Sequence, residues 1–123
     1  VLIVEDEPEV RRYAAEVLSA RGYRVIMADS AGHALLLCEK AARPIHLLLT
    51  DVVMPLIHGK ELAPRLKPLQ PGMRVLYMSG YPDDAITPGD VDEHSAHFIQ
   101  KPFGPDELAT AVRAALDAPR PAD

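Results

Sequence analysis

Five short apolar runs, separated by stretches of helical periodicity, constrain this chain more than any other feature. The runs are Val1 to Val4, Tyr23 to Met27, His46 to Thr50, Met73 to Met78 and Ala96 to Ile99. Each is of strand length, and most are aliphatic or β-branched throughout, as in strands covered on both faces. Between the first two, Pro8 to Arg21 sets Val10, Tyr13, Ala14, Val17 and Leu18 on one helical face, and Gly22 is placed to cap its end. Ser30 is an expected N-cap for a helix carrying Ala34, Leu35, Cys38 and Ala41 inward. A third helix is expected from about Gly59 to Leu66, although Pro64 removes a backbone donor near its first turn. A fourth, after Pro82, is broken by Thr87-Pro88-Gly89 and is expected to be short or irregular. The last opens at Gly104-Pro105 and buries Leu108, Val112 and Leu116. No internal repeat interrupts the alternation. It indicates an α/β fold with a parallel sheet, in which right-handed crossovers leave few topologies.

The length of 123 residues fits one compact domain. The expected division is a domain over 1–118 and the start of a linker or tail over 119–123. The apolar start at Val1 reads as an excised domain. The formal charge is −5 and no Lys/Arg stripe forms, so no direct nucleic-acid contact is expected. No apolar run spans a bilayer, and no signal peptide is visible, so no membrane contact is expected from this domain. Cys38 is the single cysteine, which excludes an internal disulfide and makes a reducing, cytoplasmic location the expectation.

In open parallel sheets, ligands bind outside the carboxyl ends of the strands. The first run ends in Glu5-Asp6, the third in Asp51 and the fourth in Ser79-Gly80; Lys101-Pro102 follows the fifth. Three carboxylates, a hydroxyl and an ammonium therefore converge on one rim. Carboxylates so gathered repel, and oxygen ligands with few protein contacts suit Mg²⁺. That ion would neutralise an incoming phosphoryl group and the carboxylate attacking it. A carboxylate nucleophile yields an aspartyl phosphate. Lys101 supplies a point charge for it, and Ser79 a hydroxyl donor.

With these residues in order, the chain resembles response-regulator receiver domains from end to end. The resemblance rests on Glu5-Asp6, on Leu48 to Pro55 with Gly59, on Met78-Ser79-Gly80-Tyr81, and on Phe98 to Phe103. Each motif alone is weak, but the ordered set is specific. It implies a flavodoxin-like, doubly wound, five-stranded parallel sheet in order 2-1-3-4-5 with five helices. It also implies phosphorylation of Asp51 by a partner histidine kinase or histidine phosphotransfer domain. Mg²⁺ would be held by Asp6, Asp51 and the Val53 carbonyl, with Glu5 contributing through water. The Lys101-Pro102 bond is expected to be cis. Ser79 and Phe98 take the positions of the family's switch, in which the hydroxyl moves toward the phosphoryl group and the aromatic follows. The surface of the fourth helix, fifth strand and fifth helix would read that change, and the family also allows a homodimer there. As a domain the chain is expected to be no enzyme, only accepting and losing a phosphoryl group. The motifs lean toward the receiver of a hybrid sensor kinase, whose full length would include a kinase.

Several positions depart from the commoner pattern. Glu5 stands where Asp is usual, Ser79 where Thr is usual, and Gly80 where Ala is frequent. Phe98 has no hydroxyl, so a switch there works by packing alone. Val53 and Tyr81 flank the family's path for hydrolytic water, and their bulk is expected to lengthen the phosphoryl lifetime.

Other roles compete for the same residues. Glu5-Asp6 also suits a helix-capping pair, Asp51 a strand-end helix cap, Lys101 a surface lysine and Phe98 a core or half-buried aromatic. His33, His46, His58, His94 and His97 show no ligand spacing with Cys38, which reads as inert core. A phosphatase with an aspartyl nucleophile needs a second acid two residues on, where this chain has Val53. A flavin-binding relative of the fold needs a Gly- and hydroxyl-rich loop where Glu5-Asp6-Glu7 stands. A degenerate receiver serving only as an interaction module would not need the full set of acids, Ser79 and Lys101.

Overall fold

The computed structural model describes residues 1–41, 43–52, 59–79 and 96–117. In chain order the elements are β1 (Leu2–Val4), α1 (Pro8–Ala20), β2 (Ile26–Ala28), α2 (Ala31–Lys40), β3 (Leu47–Asp51), α3 (Gly59–Leu66), β4 (Arg74–Ser79), β5 (Ala96–Gln100) and α4 (Pro105–Asp117). The strands form one parallel sheet in the order β2-β1-β3-β4-β5, the doubly wound arrangement anticipated. The helix expected after Pro82 lies outside the described residues, as do the tail 119–123 and its junction at Ala118. Four of the five expected helices are therefore described.

Alternation along the strands divides the core into two layers. Leu2, Val4 and Leu48 face α2 and α3, packing with Ala34, Cys38, Leu62 and Leu66. Ile3, Leu47, Leu49, Leu76 and Met78 face α1 and α4, packing with Ala14, Leu18, Leu108 and Val112. Apolar side chains on both faces of β1 and β3 follow from this double cover. Cys38 is buried in the first layer, as its helical position indicated.

The helix ends are closed as the sequence suggested. Ser30 Oγ accepts the His33 N–H at 3.2 Å, capping α2. Past α1, Gly22 adopts φ +93°, donating its N–H to Ser19 O while Tyr23 donates to Leu18 O. These paired bonds form a Schellman closure, which needs a left-handed residue at Gly22. Pro64 sits inside α3, which still buries Leu62 and Leu66.

Two sequence expectations shift. The second strand begins at Ile26 and not at Tyr23, because Tyr23 is still engaged in closing α1. It is also not covered on both faces, since Ile26 is 38% and Met27 46% exposed. Order 2-1-3-4-5 makes β2 an edge, with a strand on one side only. Strands β3, β4 and β5 extend past their apolar runs to Asp51, Ser79 and Gln100, the ends at which the sequence placed the polar residues. Asp51 pairs with Met78, and Ser79 pairs with Gln100. The ladder is made by backbone groups and does not stop where side chains become polar.

Gln70 was not singled out by the sequence. Its side chain accepts the Ile45 N–H at 3.0 Å and donates to Cys38 O at 3.4 Å, joining the turn after α3 to the segments around α2 and β3.

A Cβ at Gly22 would meet nothing within 4 Å, so Gly22→Ala carries only the cost of the left-handed backbone. We expect destabilisation of about 1–2 kcal/mol, read as a lower urea midpoint with an unchanged slope.

Candidate functional site

The carboxyl ends of β1, β3 and β5 bring together residues far apart in sequence. Glu5 and Asp6 follow β1, Asp51 closes β3, and Lys101 follows β5. Because β1 and β3 are neighbours, Glu5 and Asp51 emerge side by side. Lys101 reaches Asp51 from two strands away and Glu5 from three. Its Nζ donates to Glu5 Oε2 at 2.8 Å and to Asp51 Oδ2 at 2.8 Å. The Lys101-Pro102 bond is cis, as the resemblance implied.

Burial makes these bonds matter. The Glu5 side chain is fully buried and that of Lys101 only 16% exposed, while Asp51 is buried and Asp6 is exposed. Glu5 is held from several directions. Its Oε1 accepts the Glu7 N–H at 3.1 Å, its N–H donates to Ala28 O, and its carbonyl accepts from Arg11 Nη1 at 2.7 Å. The capping expectation for Glu5-Asp6 is not met: the N-cap of α1 is Glu7, with no side-chain cap bond, and Glu5 instead accepts the N–H of that residue.

Burial pushes the Glu5 carboxyl up to about 7, helped by the nearby Asp51 charge and opposed by the bonds from Lys101 and Glu7. For Lys101, burial works toward a lower pKa. Its bonds to Asp51 and Glu5 outweigh that and hold the ammonium above its ordinary value.

Glu5, Asp6 and Asp51 each offer a carboxylate oxygen, and these atoms lie within 4.8 Å of one another. An all-oxygen, anionic donor set of this kind fits a hard divalent cation. Val53, Tyr81 and Gly80 lie outside the described residues. Ser79 ends β4 on the same rim, but its side chain is not described. Of the two alternatives for Phe98 the half-buried one holds: it is 46% exposed and stacks on Tyr77 at 5.4 Å between ring centroids and 21° between planes.

Sequence reasoning missed three contributors. Arg11 clamps the Glu5 carbonyl from the second turn of α1. Tyr77 is buried, its hydroxyl pushed up to about 12 by that burial, and it backs Phe98. Tyr13 donates to Phe103 O at 3.3 Å beside the cis proline. Only Tyr13 carried a signal, as an aromatic at the margin of an amphipathic helix. Of the five histidines, His33 sits 3.5 Å from the Asp29 carboxylate on the surface, and His46 is exposed.

The Glu5 pKa sets a stability window for the metal-free protein. A carboxyl whose folded value is about 7, against an ordinary 4.5, favours the folded state most below pH 4.5. That contribution is lost as pH rises through 7. Measured with a chelator present, the stability of the native protein relative to Glu5→Gln should fall across this interval. A flat difference would contradict the assignment.

Among the described residues, no helix is long and apolar enough to cross a membrane. Residues 1–113 match the family model of the response regulator receiver domain. The sensor kinase CckA of Brucella abortus is 35% identical over 117 residues, covering 95% of this chain and 12% of that protein. The response regulator receiver protein CpdR of the same organism is 30% identical over 118 residues, covering 96% of this chain and 97% of that protein. The chain thus spans nearly all of one relative and a small part of the other. Among solved structures, the receiver domain of the hybrid histidine kinase CckA superposes with a TM-score of 0.71 at 36% identity, covering 94% of this chain and 97% of that one. NtrX from Brucella abortus superposes with a TM-score of 0.81 at 28% identity, covering 94% of this chain and 26% of that one. The sheet order, the acidic rim with its lysine and these matches agree: the chain belongs to the response regulator receiver domain family of two-component signalling.

Proposed function

We propose that Asp51 accepts a phosphoryl group from a histidine kinase or histidine phosphotransfer domain, in a Mg²⁺-dependent reaction that switches a protein-interaction surface. The observation that carries this reading is the Lys101 ammonium, held 2.8 Å from Asp51 Oδ2 at a rim lined by Glu5 and Asp6. A lone strand-end aspartate would need no such company.

An Asp51 oxygen attacks phosphorus, forming the O–P bond as the N–P bond to the donor histidine breaks. The imidazole keeps the electron pair. Asp6, Asp51 and the Val53 carbonyl are the proposed holders of Mg²⁺, with Glu5 reaching it through water. When bound, the ion offsets negative charge on the phosphoryl oxygens. Lys101 offers its N–H donors to those oxygens once Asp51 is esterified. Ser79 turns toward them, and Phe98 repacks as the loop moves. Its present partner is Tyr77, so the switch would exchange an exposed stack for a more buried position.

By this reading the domain is not itself an enzyme, since it gains and loses one group on its own side chain. Membership in a longer kinase, of which this would be the receiver, is supported by the likeness to part of CckA. A partner kinase and a cytoplasmic setting follow from the same reading, as does a homodimer through the switch face.

Incubation with acetyl phosphate and Mg²⁺ should add one phosphoryl mass to the wild type and none to Asp51→Asn, by intact-protein mass spectrometry. Loss of labelling with a chelator should match it; equal labelling of Asp51→Asn would refute the reading. The apolar Val53 leads to a second expectation, that Val53→Asn speeds hydrolysis of the phosphorylated protein. An unchanged decay rate would remove the steric explanation for a long lifetime.

A further inference from the structure

The end of the sheet opposite the acidic rim is also concave. The amino ends of the strands open on a hollow of about 1090 Å³. It is lined by Val1 before β1, Ile26 of β2, His46 before β3 and Arg74 of β4, with Arg113 and Leu116 of α4. That volume matches the top of the range, about 300–1,000 Å³, of pockets that hold small organic ligands. The walls come from both core layers. Tyr23, Val25 and Leu116 pack with the layer against α1 and α4, and Ala41 and Ile45 with the layer against α2 and α3.

The charge of the hollow is opposite to that of the whole chain. Arg24, Arg43, Arg74 and Arg113 line it, four of the 13 Lys and Arg in a protein of formal charge −5. Among the described residues that line it, none is Asp or Glu. The four arginines are far apart in sequence, so no basic run announces them and only folding gathers them. Arg113 is held by Asp117 through bonds of 3.1 and 2.8 Å. Arg24 and Arg43 are exposed, and neither has a carboxylate partner among the described residues.

We propose that this hollow binds a small amphipathic anion, a single acyl or aromatic body carrying a carboxylate or phosphate. The body lies among Tyr23, Ile26, Ile45 and Leu116, and Arg24 and Arg43 take the head group. A guanidinium fork matches the oxygens of either head group. Neither half of the site suffices alone. Exposed cations hold a bare anion weakly, because water and salt screen them. Apolar walls alone would not distinguish an acid from an alcohol of the same chain length. Concavity favours one molecule at a time over the flat face of a bilayer.

Calorimetric titration of the 123-residue protein with decanoate and with decyl phosphate at low salt should show saturable binding. The ratio of the two affinities tells which head group the site prefers. Decanol, with the same chain and no charge, should bind at least about tenfold more weakly. Decanoate should bind the double variant Arg24→Gln/Arg43→Gln weaker by about tenfold or more, for the loss of charge-assisted bonds. Arg12→Gln, which removes an exposed cation of α1 that does not line the hollow, should bind as wild type. An unchanged urea midpoint shows that the double variant is folded, and the decanol comparison tests the charge on the wild type itself. Amide shifts on adding decanoate should be largest at Gly22, Ile26, Ile45 and Arg74. The proposal is overturned by absence of saturable binding of both anions, by equal affinity of wild type and double variant, or by shifts centred on the Phe98–Tyr77 stack. Arginine-dependent recruitment to phosphatidylglycerol vesicles without binding of the free anions would overturn it as well, making this face a membrane contact.

Discussion

Two carboxylates emerging from adjacent strands into a buried rim cannot both stay ionised without a counter-charge. In this chain the counter-charge is one ammonium, that of Lys101, shared between Glu5 and Asp51 at 2.8 Å each. The arrangement requires β1 beside β3, because only neighbours place those carboxylates together. It also requires β5 to end level with them, so that a lysine can span β4. The parallel order β2-β1-β3-β4-β5 satisfies both conditions. The core beneath is divided into two apolar layers that fix the strands in that order.

The same network sets the character of the resting site. Burial drives the Glu5 carboxyl up to about 7, while its partners pull the other way. The site is thus rich in negative charge and short of positive charge, with an exposed Asp6 at its mouth. An all-oxygen cluster of this kind fits a divalent cation. Arg11 and the Glu7 N–H add fixed dipoles and charge that hold the β1–α1 connection in place. Phe98, by contrast, is an aromatic left on the surface against Tyr77.

Much of the fold was legible because its cause is local. Apolar runs of strand length, the i, i+3, i+4 stripe of α1, the Ser30 cap and Gly22 each declare themselves within a few residues. The places where that reading slipped are instructive. Apolar content suggested a second strand covered on both faces, but Ile26 and Met27 lie at an edge, a consequence of sheet order that no local pattern encodes. The strand ends at Asp51 and Ser79 were read correctly, and both residues are still in the ladder. For the site, Glu5, Asp6, Asp51 and Lys101 were found because strand-end position and chemistry coincide. Arg11, Tyr77 and Gln70 were not, since each acts through a backbone group or ring brought near only by folding.

The sequence by itself determined the alternation of strands and helices, the double cover of the sheet, and which charged residues stand at strand ends, because period and polarity are properties of neighbouring residues. Only the tertiary structure decided which of the two acids is buried. Asp6 and Glu5 are adjacent and chemically alike, and nothing local separates them. The strand pairing that brings Lys101 within reach across 96 positions of chain buries one acid against it and leaves the other in water. That difference is one of solvent exposure and partner distance, quantities that exist only once the sheet has formed.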